Sequence, residues 1–171
     1  MPSLPVAARR TISNRKYLVP SNNPRKGSEM SSFEQPVEAF MASYVAAVGA
    51  KDIEAFVKLY APEVRVFDAW SQQEYRGQDA WRAMVTHWFG SLGDEKVEVY
   101  FVEVFSTVGE ELAFGAALAR FTALDAHGTA LRSLTNRFTV VLSKNGARWE
   151  VIHEHTSLPI DHETGTAIFA P

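Results

Sequence analysis

The chain has 171 residues, 46% hydrophobic and 22% charged, with no cysteine and a net charge of −3. That length supports one domain with its own core, and the missing cysteines exclude disulfides, thiolate catalysis and cysteine-based zinc sites. Six cations against one acid put +5 on the first thirty residues and −8 on the rest, which argues against a nucleic-acid binder; no apolar run nears the roughly 18 residues that cross a bilayer.

Residues 1–32 contain four prolines, several Ser and Asn and no sustained apolar period, so a disordered extension is expected. Its arginines and scarcity of acids are compatible with a targeting segment. An adventitious tail and translation starting at Met30 are the alternatives. A single domain over residues 33–158 should follow, then a mobile tail over 159–171, in a cytoplasmic protein without membrane or nucleic-acid partners.

From Pro36, the spacing of Val37, Phe40, Met41, Tyr44, Val45 and Val48 predicts a first helix, with Gly49 as its stop. Asp52 then caps a second helix with the stripe Ile53, Phe56, Val57 and Tyr60, which Pro62 ends. Val64 to Asp68 and Glu74 to Arg76 read as short strands. Gly77 opens a third helix whose stripe is Trp81, Met84, Val85, Trp88, Phe89 and Leu92, and Gly93 closes it. His87 lies off that stripe and reads as a rim position.

After Gly93 the period becomes that of strands, over 96–107, 112–124, 131–144 and 147–157, with Asn145-Gly146 as a two-residue hairpin turn. The order ααββα followed by ββββ predicts an α+β fold, with the helices gathered on one face of a curved antiparallel sheet. In the first long strand Val97, Val99, Phe101 and Phe105 alternate with Tyr100, Val102 and Val104. Both of its faces are apolar, so a homodimer through the sheet is expected. In the last strand, alternation puts Trp149, Val151, His153, His155 and Ser157 on one face and Glu150, Glu154 and Thr156 on the other. The face bearing the histidines reads as running from the core into the polar floor of a pocket.

Tyr44-Val45-Ala46-Ala47 leading to Lys51-Asp52-Ile53, then Leu59-Tyr60-Ala61-Pro62-Glu63-Val64, Tyr75-Arg76-Gly77 and the ending Trp149 to Ser157 together resemble the nuclear transport factor 2-like superfamily. The resemblance covers about 35–157 and is nearest to the SnoaL-like and ketosteroid isomerase-like branch. It implies a cone-shaped curved antiparallel sheet packed against three N-terminal helices. It also implies that Tyr44 donates a hydrogen bond to a substrate oxygen and that Asp68 shuttles a proton. Asn136 stands where the isomerases carry a second, neutral acid, and can donate in its place.

The residues themselves carry a compatible chemistry. Asp68 follows Val66 and Phe67 and precedes Trp70, so a desolvated carboxylate suited to general-base work is expected there. His153 and His155 would orient or protonate the ligand, or hydrogen-bond to Asp68 or Arg137; a metal held by the pair is the less favoured alternative. Asn136 is expected inward and Arg137 at the rim as a carboxylate clamp, with Trp70, Tyr75 and Trp88 as pocket walls. There is no glycine-rich phosphate loop, so no cofactor is implied. The expected function is binding of a small apolar molecule bearing a carbonyl or carboxylate, with cofactor-independent proton transfer next to the carbonyl as in isomerases, cyclases or dehydratases. The alternative is a non-catalytic association module resembling the kinase association domain.

Overall fold

In a computed structural model, residues 35–169 are described. The expected N-terminal extension, residues 1–32, lies outside them. Three helices, α1 (Pro36–Ala50), α2 (Ile53–Val57) and α3 (Gln78–Ser91), alternate with six strands, β1 (Tyr60–Phe67), β2 (Tyr75–Arg76), β3 (Lys96–Val108), β4 (Leu112–Leu124), β5 (Ala130–Asn145) and β6 (Arg148–Ser157). The strands form one sheet in the order β2-β1-β6-β5-β4-β3, with every pairing antiparallel except β1 with β6. This is the expected α+β architecture, with the helices on one face. Among the described residues, no helix is long and apolar enough to cross a membrane.

Local chemistry sets the element boundaries, in places against expectation. Helix α1 runs through Gly49 and stops at Lys51, which takes a left-handed φ of 52°. Asp52 caps α2 as expected, its Oδ1 accepting from the Ala55 N–H at 2.9 Å. The helix is shorter than its stripe, because the Leu59 carbonyl already accepts from Val151 N–H at 2.9 Å and Tyr60 pairs with Val151 in the sheet. The last hairpin turns on Gly146-Ala147, one residue later than predicted: Asn145 pairs with Arg148, and Gly146 supplies the positive φ of 62°. The tail after β6 also departs from expectation. Ile160 bridges Ala167, and Asp161 Oδ1 accepts from Glu163 and Thr164 N–H groups, so the chain turns back toward the domain.

Two bulges re-aim side chains. At Glu103, with φ 54°, β3 gains a residue against β4, so Phe105 leaves the row of Val97, Val99 and Phe101 for the outer face, where its ring meets Phe114 at 6.0 Å. In β6, Leu142 pairs with Val151 and Val141 with His153, which leaves Ile152 as the extra residue. Beyond that point the alternation is inverted: Val151, Glu154 and Thr156 are buried, while Ile152 and His155 are exposed.

The core is an aromatic cluster between the helices and the inner face of the sheet. Tyr44 of α1 lies 4.9 Å from Phe56 and 5.6 Å from Phe101, and Phe101 lies 5.0 Å from Phe138. Helix α1 can sit this close because the inward row of β4 begins Ala113, Gly115, Ala117, Ala119. A Cβ on Gly115 would stand 2.5 Å from Val37 Cγ1. Gly115→Ala should therefore push α1 off the sheet and cost about 1–3 kcal/mol, measured as a lowered midpoint in urea unfolding.

Candidate functional site

Where β4 passes Ala119, its inward row continues with Phe121 and Ala123, and α1 no longer covers it. The space left between α3, the β1–β2 loop and the inner faces of β4, β5 and β6 is a cavity of about 980 Å³, at the upper end of the range for small-molecule sites. Its walls are apolar: Trp81, Met84, Trp88 and Leu92 from α3 face Phe121 and Leu134 from the sheet. Polar groups gather at the buried end, where Tyr44, Asp68, Asn136, Glu154 and Thr156 meet. Trp70 and Phe169 lie at the opposite, exposed side, their rings stacked at 5.8 Å.

Asp68 is oriented by Thr156. The Thr156 hydroxyl accepts from Ala69 N–H at 2.8 Å, so its single proton goes to Asp68 Oδ1, 2.9 Å away. One carboxylate oxygen is thereby fixed as an acceptor. Burial pushes the Asp68 carboxyl above the ordinary carboxylate range, opposed by hydrogen bonds from Thr156 and the backbone amides that follow.

Glu154 is 1% exposed, and its Oε2 accepts a hydrogen bond from Tyr60 Oη at 2.7 Å. Desolvation raises its pKa from the ordinary 4.5 to about 8; the Tyr60 hydrogen bond opposes the rise, and the nearby Asp68 charge adds to it. At neutral pH Glu154 is therefore a carboxylic acid, and Asp68 is the group that carries charge. Tyr44 and Tyr60 are held well above their usual values by burial first and by Glu154 second, so both remain protonated. Asn136 is 4% exposed, and its Oδ1 finds no donor among the described residues.

Of the residues singled out from the sequence, Tyr44, Asp68, Asn136, Trp70, Tyr75 and Trp88 border this one cavity, and so does the rim residue His87. His153, His155 and Arg137 do not. The Ile152 bulge turns both histidines to the outer face, where His153 Nδ1 lies 2.9 Å from the Arg65 carbonyl and both rings edge onto Phe67. The sheet now separates the pair from Asp68. Arg137, opposite in parity to the inward Asn136, is exposed on that same outer face and pairs in register with Leu118. Sequence reasoning missed Glu154, Thr156 and Tyr60. A carboxylate two residues before a threonine in an apolar strand was a usable signal, but assigning it inward requires the bulge.

Proton linkage makes Glu154 testable through stability. Its pKa is raised on folding, so its contribution is fully present below about 4.5 and is lost as the pH rises through about 8. The wild-type melting temperature should fall between pH 5 and pH 8. Glu154→Gln should flatten that decline, which differential scanning calorimetry at stepped pH reads directly.

Comparison with known proteins matches these features to a family. A protein of unknown function from Pseudomonas putida, described as nuclear transport factor 2-like, superposes with a TM-score of 0.72 at 24% identity, over 84% of this chain and 99% of its own. A protein from Novosphingobium aromaticivorans, nuclear transport factor 2-like with a cystatin-like fold, gives 0.64 at 15% identity over 77% and 84%. A protein from Xanthomonas campestris, provisionally described as a calcium/calmodulin dependent protein kinase II association domain, gives 0.63 at 19% over 80% and 96%. At these identities the likeness is one of fold. None of the curated proteins matches the sequence. The family model described as SnoaL-like domain matches residues 37–161, so the chain belongs to the SnoaL-like domain family within the nuclear transport factor 2-like superfamily.

Proposed function

We propose that the protein binds a small, largely apolar carbonyl compound in this cavity and moves a proton at the carbon next to the carbonyl, without a cofactor. The observation that carries the reading is the meeting of Asp68, Tyr44 and Asn136 at the buried end of one apolar cavity. Asp68 is the base: burial raises its proton affinity, and Thr156 holds one oxygen so that the other is free to accept a proton. As the proton leaves carbon, negative charge builds on the carbonyl oxygen. The protonated Tyr44 hydroxyl and the Asn136 amide are donors suited to it. Walls of Trp81, Trp88 and Phe121 keep water from competing for that charge. His153, His155 and Arg137 have no part in this chemistry, because the sheet lies between them and the cavity.

The test needs no knowledge of the natural substrate. With 2-tetralone in D2O, the protein should accelerate loss of the α-proton NMR signals over buffer, and Asp68→Asn should slow that reaction by roughly 100-fold or more. Equal rates for the two proteins would remove Asp68 as the base.

A second reading is an association module without catalysis, and its support is the outer face of the sheet. Phe67, Phe105, Phe114 and Ile152 are each at least 36% exposed there. That face also suits a homodimer under either reading. Light scattering should give twice the 19.0 kDa chain mass, and Phe105→Asp with Phe114→Asp should return it to one; a closed ring of many copies would favour the association module.

A further inference from the structure

The polar end of the cavity is unusual in what it lacks. Tyr44 from α1, Tyr60 from β1, Asp68 after β1, and Glu154 from β6 are its titratable groups, and Asn136 and Thr156 complete it. None of these is a cation. Arg137, the clamp expected from the sequence, is on the far side of the sheet. The cavity's own arginine, Arg132, is exposed and already holds Glu95 through two hydrogen bonds, of 3.0 and 2.5 Å. His87 is also exposed. A ligand carboxylate or phosphate at the buried end would face the Asp68 charge with no counter-ion, after losing its water.

What the floor offers instead is matched to an uncharged oxygen group. The hydroxyl of Tyr44 and the acid proton of Glu154 are donors for a carbonyl oxygen. Asn136 Oδ1, buried and unpartnered, is an acceptor for a hydroxyl or enol proton, as is the free oxygen of Asp68. Leaving that acceptor unmatched in an apolar site weakens binding, so a ligand bearing both functions is favoured over a plain hydrocarbon.

We infer that the site is charge-selective: it takes a flat apolar molecule through a ketone, enol or hydroxyl group, and turns away ligands whose polar group is a carboxylate or phosphate. This narrows the ligand class expected from the sequence, which included carboxylates. It rests on the cavity being the binding site, and the test separates the two claims.

Three naphthalenes of nearly equal size serve as probes by isothermal titration calorimetry of the full chain at pH 7: 2-acetonaphthone, 2-naphthoate and 2-naphthylmethylammonium. The ketone should bind at least tenfold more tightly than either ion. Asp68→Asn should narrow the ketone-to-naphthoate ratio to within about threefold by removing the charge. Glu154→Gln, which keeps a donor and leaves the Asp68 charge, should hold that ratio above tenfold. Naphthoate or the ammonium binding as tightly as the ketone would overturn the charge rule while leaving the binding site in place. Failure of all three to bind would overturn both.

Discussion

Glu154 has exchanged water for one hydrogen bond, from Tyr60 at 2.7 Å, and much of the site follows from that exchange. A carboxyl 1% exposed and without a cation keeps its proton at neutral pH. Its neutrality allows the Asp68 carboxylate to exist nearby, because two bare charges in one desolvated space would each raise the other's proton affinity. The same burial holds Tyr44 and Tyr60 in their donor forms. One neutral acid, two neutral phenols and one carboxylate are therefore a single electrostatic arrangement, and a change to any member is felt by the others.

Packing explains why this arrangement borders a cavity. Helix α1 lies against the small residues of β4 from Ala113 to Ala119, with Val37 filling the place a side chain on Gly115 would occupy. The helix thus seals one half of the concave face. In the other half the floor rises to Phe121 and Leu134, and α3, capped by Gly77 and carrying Trp81 and Trp88, arches over it. The large indoles hold the two layers apart. Fold stability and ligand space draw on the same sheet, divided by residue size along one strand.

Where the chain alternates without interruption, the sequence was legible. The three helices, the long strands and the Asp52 cap follow from periodicity and local hydrogen bonding, and the inward aim of Asn136 follows from the parity of Phe138 and Val140 in the same strand. Tyr44 and Asp68 were reachable through the family resemblance and their apolar neighbours. The bulges were not. One residue inserted at Ile152 exchanges the imidazoles for Glu154 and Thr156 at the floor, and one at Glu103 exchanges Phe105 for Val104 at the core. A bulge is fixed by how a strand fits its neighbours around a curved sheet, and that fit has no local signature. The return of the tail to the cavity was hidden for a similar reason, since Phe169 finds Trp70 only after the domain has closed.

The stack of Trp70 on Phe169 bears on timing as well as shape. Both rings border the cavity and both are about half exposed, at 42% and 52%. A guest arriving from that side must push apart a pair of aromatic surfaces that then close behind it. Residence time is governed there by how often the rings separate, so two guests of equal affinity but different girth would leave at different rates.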